Sequence, residues 1–352
     1  MKNSLRICLQ IPSWFHGRHG SASLQTHAET AVGEVYKNPI LSLFAMFAIA
    51  VPLMSEAQPA PPSAIDAKPA STVPTTQPRK ARSGPGGAGE PVKLGPDDKQ
   101  VYPNPPSGFD VERKDIAHGK LQMVEYESKT VGTTRKLLVY TPPRYSDATK
   151  YPAMYLLHGI GGDETEWKKH CAPGVILDNL IADGKIPAMI VLFPNCRAEV
   201  DDHPRDNIFN HSKAFETFTD DLISGVIPYV ESHYSVIADS EHRALGGYSM
   251  GGGQTLNIGL THLDKFSFLA AMSTAPNVKS LAELIPDPKA LESLKVFYIS
   301  CGDKDGFMAR GQSWHAYLKK NNVKHIWQVN PGGHDAKVWK QDLYHFSQLV
   351  FK

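Results

Sequence analysis

The regular alternation of short apolar runs with amphipathic runs between residues 99 and 352 constrains the fold of this chain more than any other feature. Several of the apolar runs are continuous, which is typical of strands that are covered on both faces. Strands that alternate with helices predict an α/β fold, in which a mostly parallel central sheet carries helices on both faces. The predicted strands are Lys136–Tyr140, Ala153–Leu157, Ala188–Phe193, Arg243–Tyr248, Phe268–Met272, Val296–Ser300 and His325–Val329.

Amphipathic stretches lie between these strands. Phe215–Tyr234 repeats apolar side chains at helical spacing, and Pro228 within it predicts a kink because proline cannot donate a backbone hydrogen bond. Gly253–His262, Gly311–Asn321 and Lys337–Val350 are further predicted helices. These are crossover helices of the kind that parallel strands require.

The N-terminal region contains one markedly apolar run, ILSLFAMFAIAVPLM at residues 40–54. A membrane span needs ~20 apolar residues, whereas the apolar part of a signal peptide has ~7–15. Ser55 and Ala57 supply the small residues that signal peptidase requires. We therefore predict that residues 1–57 are a signal peptide and that the mature chain is secreted or periplasmic, without stable membrane association. An uncleaved membrane anchor is the alternative.

Residues 58–98 contain no aromatic side chain and few branched aliphatic ones. Such a segment cannot bury enough apolar surface to offset the entropy of ordering it, so we predict a disordered Pro/Ala-rich linker. The linker also explains why the hydrophobic share of the chain, 41%, is slightly below the ~45–50% of globular domains. The folded domain is then predicted to be residues 99–352.

The net charge of +1 gives no electrostatic basis for nucleic-acid binding.

The sequence GYSMG at residues 247–251 matches the G-x-S-x-G pattern, with Ser249 at its centre. It falls where a predicted strand passes into a predicted helix, which is the context that a nucleophile elbow requires. The tight turn exposes the serine hydroxyl, and the N-terminus of the following helix favours developing negative charge. We therefore predict that Ser249 is a catalytic nucleophile rather than an ordinary serine in a glycine-rich turn.

A second glycine cluster, HGIGG at residues 158–162, follows the strand at Ala153–Leu157. In enzymes with a nucleophile elbow, the oxyanion hole combines the N–H after the nucleophile with an N–H from such a loop. The predicted donors are the backbone N–H groups of Met250 and Ile160. His158 is interpreted as structural, because it lies at a strand end and a better candidate base exists.

That base is His334, in the sequence PGGHD after the last predicted strand. The chain order Ser, Asp, His is that of the α/β-hydrolase fold, so the acid is expected after the preceding strand. The sequence CGDKDG at residues 301–306 offers Asp303 and Asp305. Asp303 follows the turn glycine directly and is suited to capping that turn, so the residues favour Asp305 while leaving Asp303 open.

This scheme needs no metal and no cofactor. A Walker-type phosphate-binding loop is excluded because the chain has no G-x-x-x-x-G-K-[ST] sequence. The run DDH at residues 201–203 resembles a ligand cluster but is interpreted as a polar loop. Removal of the leader would leave Cys171, Cys196 and Cys301, so at most one intramolecular disulfide can form.

Four blocks of the domain together resemble carbohydrate esterase family 1, also described as esterase-D-like, and within it the feruloyl esterase modules of bacterial xylanases. The blocks are YLLHGIGGDETEW at residues 155–167, EHRALGGYSMGGGQTLNIGL at 241–260, SCGDKD at 300–305 and GGHDAKVWK at 332–340. The resemblance extends from about residue 110 to the C-terminus. It therefore covers the whole predicted domain.

The resemblance implies the roles of five residues. Ser249 matches the family nucleophile, and His334 matches the family base. Asp305 matches the acid, which in the family is the second acidic position of the SCGDKD block. Ile160 and Met250 match the oxyanion donors. The family also implies a secreted enzyme without a cofactor, whose substrates are ferulate or acetate esters of plant hemicellulose such as arabinoxylan.

The residues that would contact a feruloyl ring are less sharply indicated. Trp167 and Trp339 each lie beside one of the matching blocks and are the substrate-binding candidates, with half-buried core positions as the alternative for both. The segment Arg197–Ser212, before the long predicted helix, is expected to shape the acyl pocket.

The predicted function is a secreted serine carboxylic-ester hydrolase, with feruloyl esterase favoured over acetylxylan esterase. Acyltransferases and thioester hydrolases use the same scaffold, although export disfavours enzymes that act on cytosolic glutathione conjugates. A non-catalytic carbohydrate-binding protein with a degenerate hydrolase scaffold is an alternative of another class. The complete set Ser249, Asp305 and His334 favours an enzyme, since a degenerate scaffold usually lacks at least one of the three.

Overall fold

The computed structural model describes residues 92–352. The predicted signal peptide, residues 1–57, and the part of the predicted linker before residue 92 lie outside the described residues. Residues 92–98, which the prediction assigned to the linker, contact the domain. Asp98 accepts hydrogen bonds from the Trp327 indole Nε1, at 2.8 Å, and from Gln312 Nε2, at 2.6 Å. The domain boundary at residue 99 remains a prediction.

A single eight-stranded sheet forms the centre of the described domain. Its strand order is β1-β2-β4-β3-β5-β6-β7-β8, and all pairs are parallel except β1 with β2 and β2 with β4. The strands are β1 Lys120–Ser128, β2 Thr133–Thr141, β3 Ala153–Leu157, β4 Ile190–Pro194, β5 Arg243–Tyr248, β6 Phe268–Met272, β7 Val296–Gly302 and β8 Ile326–Asn330. The predicted α/β-hydrolase sheet is thus confirmed, with all seven predicted strands present.

The α-helices connect these strands and cover both faces of the sheet. They are α1 Glu166–Cys171, α2 Pro173–Ala182, α3 Ala214–Asp221, α4 Ile227–His233, α5 Met250–Thr261, α6 Leu281–Leu284, α7 Met308–Lys320 and α8 Ala336–Ser347. Apolar side chains of α3, α5 and α7 pack on one face, and those of α1, α2 and α8 pack on the other. The strands between them are almost wholly buried, as their continuous apolar runs predicted. Within residues 92–352, none of the helices combines the length and apolar character needed to cross a membrane.

The structure adds two features that the sequence did not predict. Strand β1 is an antiparallel edge strand whose side chains are mostly exposed, so it lacks a continuous apolar run.

The long helix predicted at Phe215–Tyr234 is divided into α3 and α4 by a π-helical turn at Leu222–Val226. This turn precedes Pro228, whose missing N–H removes one helical hydrogen bond, so the predicted kink takes the form of a locally widened helix.

A buried ion pair fixes the loop that follows β4. Arg135 on β2 pairs with Asp221 on α3, and both side chains have at most 1% of their surface exposed. The same guanidinium donates to the backbone oxygens of Asn195, at 2.9 Å, and Arg197. The segment that leads to the predicted acyl pocket is therefore held at the carboxyl edge of the sheet.

Candidate active site

Ser249 occupies the sharp turn between β5 and α5. Its backbone angles, φ 55° and ψ −119°, lie outside the regions that non-glycine residues favour, as expected for a nucleophile elbow. The turn is possible because glycines lie two residues before and two residues after Ser249, at positions 247 and 251. A Cβ atom on Gly251 would lie 2.5 Å from the Leu157 oxygen and 2.6 Å from the His158 oxygen. The close approach of β3 to α5 therefore requires glycine at this position.

His334 lies in the loop between β8 and α8, with its ring between the other two predicted catalytic residues. Its Nε2 atom is 2.9 Å from Ser249 Oγ, and its Nδ1 atom is 2.9 Å from Asp305 Oδ2. The ring is perpendicular to two aromatic rings, Phe307 at 5.0 Å and Trp339 at 5.2 Å between centroids. Three groups distant in sequence thus form one continuous hydrogen-bonded set.

Asp305 is 4% exposed and is held by two hydrogen bonds. One joins its Oδ2 to His334, and the other is donated to its Oδ1 by the Phe307 N–H at 2.8 Å. Burial acts to raise the pKa of Asp305, but the hydrogen bonds and the positive charge of a protonated His334 outweigh it, so the pKa lies below its ordinary value. The carboxylate is therefore ionised at neutral pH and suited to orient the imidazole.

Asp303, the other candidate acid, has a different position. Its Oδ1 accepts the N–H of Gly332 at 2.9 Å, in the loop that carries His334. The N–H of the next residue, Lys304, donates to the Gly332 oxygen at 2.9 Å. Asp303 therefore joins the loop of the acid to the loop of the histidine, while its neighbour Asp305 contacts the imidazole.

The two predicted oxyanion donors flank Ser249. Met250 is the first residue of α5, where backbone N–H groups have no partner within the helix. Ile160 lies in a tight turn closed by the Gly162 N–H and the Gly159 oxygen at 3.2 Å. A Cβ atom on Gly159 would lie 3.2 Å from the Cβ of Ser249, so this turn adjoins the nucleophile directly. Both backbone segments therefore adjoin the nucleophile, and the role of Met250 and Ile160 as oxyanion donors remains a prediction.

His158 is buried and does not contact Ser249 Oγ. Its Nε2 accepts the Cys196 N–H at 2.8 Å, so the ring proton is on Nδ1, which is 2.7 Å from the Gly159 oxygen. Burial lowers the pKa of His158 to about 4. The neutral ring connects the loop after β3 to the loop after β4, in agreement with its interpretation as structural.

The two tryptophans differ. Trp167 is 1% exposed and donates its Nε1 to the Leu157 oxygen at 3.1 Å, so it belongs to the core. This position favours the core alternative over substrate contact: Tyr248 packs edge-to-face on Trp167, with ring centroids 4.8 Å apart, and stacks in turn on Trp339 at 3.9 Å. Trp339 is half-buried and adjoins His334. It remains a candidate for substrate contact.

The remaining sequence candidates have local roles. In the run at residues 201–203, His203 Nδ1 bonds to Asp202 Oδ1 at 2.6 Å, so this segment is internally paired. All three described cysteines, Cys171, Cys196 and Cys301, are buried and free. The two ends of the segment Arg197–Ser212 lie close together in space. The Ala198 N–H donates a hydrogen bond to the backbone oxygen of Ala214, just after the segment, at 3.0 Å. Its proposed role in the acyl pocket stays a prediction.

This sheet, with the elbow after β5 and the chain order Ser, Asp, His, defines the α/β-hydrolase class. Comparison with known proteins gives the family. The chain belongs to the esterase family whose model, described as putative esterase, matches residues 128–348. The resemblance to esterases predicted from the four sequence blocks is thereby confirmed.

Two curated relatives are xylanases. The chain is 34% identical over 250 residues to an endo-1,4-beta-xylanase/feruloyl esterase of Xylanibacter ruminicola, covering 69% of this chain and 33% of the relative. It is 31% identical over 159 residues to endo-1,4-beta-xylanase Y of Acetivibrio thermocellus, covering 41% of this chain and 13% of the relative. The chain thus spans a third or less of the length of these relatives.

A solved structure with the same fold is a CE1 ferulic acid esterase of Anaeromyces mucronatus. It is 27% identical, with a TM-score of 0.63, and the match covers 72% of this chain and 98% of that chain. A second structure of that enzyme, in complex with ferulic acid, matches equally well. The resemblance to CE1 feruloyl esterases is therefore confirmed in three dimensions.

Proposed function

We propose that this chain is an exported serine esterase that removes feruloyl groups from plant cell-wall polysaccharides. The observation that carries the proposal is the hydrogen-bonded set Ser249, His334 and Asp305, with 2.9 Å at each contact of the imidazole. The set lies in an esterase-family domain beside two backbone N–H groups suited to an oxyanion. This combination is what acyl transfer to a serine requires.

In the first half of the reaction, Ser249 Oγ attacks the ester carbonyl while His334 Nε2 accepts its proton. The carbonyl oxygen becomes an oxyanion, which the N–H groups of Ile160 and Met250 stabilise. His334 Nδ1–H donates a hydrogen bond to the Asp305 carboxylate. This hydrogen bond fixes the tautomer of His334 and stabilises its imidazolium form. Collapse of the intermediate breaks the bond to the sugar oxygen, which leaves with the proton from Nε2.

In the second half, water takes the place of the sugar alcohol. His334 Nε2 accepts a proton from the water as its oxygen attacks the acyl carbon, and the same N–H groups stabilise the new oxyanion. The bond to Ser249 Oγ then breaks, and the serine regains its proton from His334. The product is the free acid, which is ferulic acid for a feruloyl ester.

The feruloyl group is favoured by the relatives. A feruloyl esterase is named both in the bacterial relative at 34% identity and in the fungal structure at 27% identity. The aromatic rings of Trp339 and Phe307 beside His334 supply flat apolar surface of the kind that an aromatic acyl group contacts.

The export part of the proposal is supported by the predicted signal peptide and by the extracellular location of plant cell-wall polysaccharides.

A panel of esters tests the acyl preference. The purified protein is assayed with methyl ferulate, methyl p-coumarate, acetylated xylan and p-nitrophenyl acetate, and kcat/KM is compared across the panel. We expect the highest kcat/KM for the two hydroxycinnamates. A preference for acetylated xylan would replace the feruloyl assignment with an acetylxylan esterase, and no turnover above the Ser249→Ala variant would contradict the esterase itself.

Cleavage of the predicted signal peptide is tested separately. Mass spectrometry of the exported protein is expected to find Gln58 at the N-terminus.

A further inference from the structure

A buried polar network lies directly beneath the loop that carries His334. Its central residue is Asp342 on α8, which is fully buried. Asp342 Oδ1 accepts the Tyr298 hydroxyl at 2.8 Å and the Asn330 Nδ2 at 2.6 Å. Asn330 is the last residue of β8 and Asp342 is on the following helix, so this hydrogen bond spans the loop that contains His334.

The network extends from Asn330 in two directions. Asn330 Oδ1 accepts Gln328 Nε2 at 2.8 Å, and Gln328 Oε1 accepts the N–H groups of Val101 and Tyr102 at 2.8 and 2.9 Å. The backbone oxygen of Asn330 accepts the Asp303 N–H at 2.8 Å, in the loop of the catalytic acid. Asn330 thus connects the buried network to both catalytic loops.

We infer that Asp342 is a positioning residue for the proposed ester hydrolysis: as a neutral carboxylic acid it ties α8 to the end of β8 and so holds His334 within proton-transfer distance of Ser249. The inference rests on the proposed function. The opposite end of the same loop is fixed by Asp335, which caps α8. The loop is therefore held at one end by a side chain of α8 and at the other by the N-cap residue of that helix.

The surroundings of Asp342 favour the neutral form. Its Oδ2 is buried without a hydrogen-bond partner, and none of the ion pairs within residues 92–352 includes this carboxyl. The titratable groups that face it are Tyr298 and Cys301 on β7, Asp305 after β7, and Cys171 on α1. None of these is a cation, so an ionised carboxylate would lack compensation in a dry site.

The titration of Asp342 agrees with this geometry. Burial raises its pKa to about 7, the side chains of Tyr298, Ser300 and Asn330 oppose this rise, and the negative charge of Asp305 adds to it. Ionisation above this pH would place a second negative charge near Asp305 with no cation beside it. The packed arrangement under His334 then becomes less stable as the pH increases.

Three variants test whether Asp342 acts through its hydrogen bonds across the loop or only by filling space in the core. Asp342→Asn keeps an oxygen that can accept the hydrogen bonds of Tyr298 and Asn330, and it replaces Oδ2 by an uncharged NH2 group. We therefore expect kcat for p-nitrophenyl acetate to stay near that of the wild type. Asp342→Ala and Asn330→Ala break the tie across the loop. For these we expect kcat to fall about tenfold to hundredfold with little change in KM, because small displacements of a catalytic group carry costs of this size.

The pH profile supplies a readout that a purely structural residue would not change. We expect kcat of the wild type to decline at alkaline pH as Asp342 ionises, and the plateau of Asp342→Asn to extend to higher pH. The same difference is expected in Tm. The folded pKa lies above the ~3.9 of an unfolded Asp, so the stability contributed by Asp342 is complete below about pH 4 and is lost as the pH rises through about 7.

The inference is overturned if Asp342→Asn is as impaired as Asp342→Ala, or if its pH profile coincides with that of the wild type. If Asp342→Ala does not fold, Asn330→Ala and the comparison of Asp342→Asn with the wild type decide the question. Failure of the proposed function gives a different result, since the wild type itself would then show no turnover above Ser249→Ala.

Discussion

The carboxylate of Asp305 contacts the imidazole of His334 at 2.9 Å, although Asp303, two residues earlier, contacts the same loop through the Gly332 N–H. Two acids of one short turn therefore have separate tasks. Asp303 joins the two loops, and Asp305 contacts the ring. These contacts support Asp305 as the proposed catalytic acid.

Replacement of each acid by its amide tests this division. Asp305→Asn should lower kcat by about 10⁴, because an amide favours the wrong tautomer of His334 and does not stabilise the imidazolium. Asp303→Asn retains an oxygen that can accept the Gly332 N–H and should change kcat much less. The measurement is kcat with p-nitrophenyl acetate for both variants. A larger loss in Asp303→Asn would transfer the role of the acid to Asp303.

The two tryptophans give a second matched pair. Trp339→Leu should raise KM for methyl ferulate by up to about tenfold, since aromatic pairs contribute ~0.5–1.5 kcal/mol, and should affect p-nitrophenyl acetate less. Trp167→Phe should leave both KM values unchanged and lower the free energy of unfolding by about 1–3 kcal/mol, because the Leu157 oxygen loses its donor. An increase of KM in Trp167→Phe alone would show that the buried ring contacts substrate.

Acid sensitivity is expected from His158. Its folded pKa, about 4, lies below the 6.5 of an ordinary histidine, so its contribution to stability is complete above pH 6.5 and is lost as the pH falls toward 4. The shift corresponds to on the order of 3 kcal/mol. Urea unfolding of the wild type and of His158→Asn between pH 7 and 4.5 measures this. The variant should show a shallower loss, and equal slopes would contradict the buried neutral ring.

The fold, and the residues that form the candidate catalytic set, could be predicted because their sequence signals are local. The elbow at Ser249 depends on glycines within two residues, and the strands are covered on both faces, so their apolar runs are continuous. Strand β1 was missed because it lies at the edge of the sheet and exposes most of its side chains, which removes the pattern that marks a strand.

Features that depend on tertiary packing were not predictable. The position of Trp167 beside a sequence block does not show that its ring is buried against Tyr248, which in turn stacks on Trp339. The network of Gln328, Asn330 and Asp342 joins a strand to a helix across the histidine loop, and nothing in the local sequence distinguishes these side chains from surface polar residues. Their roles appear only when buried donors and acceptors are matched in space.

The most direct test of the account is turnover by Ser249→Ala. We expect kcat for methyl ferulate and p-nitrophenyl acetate to fall by up to about 10⁶, since removing the nucleophile disables the whole catalytic set. Ser232→Ala, at an exposed serine on α4, is the matched control and should retain full activity, with the Tm of both variants close to that of the wild type. Residual activity of Ser249→Ala above about one per cent, in a folded protein, would contradict the assignment of the nucleophile.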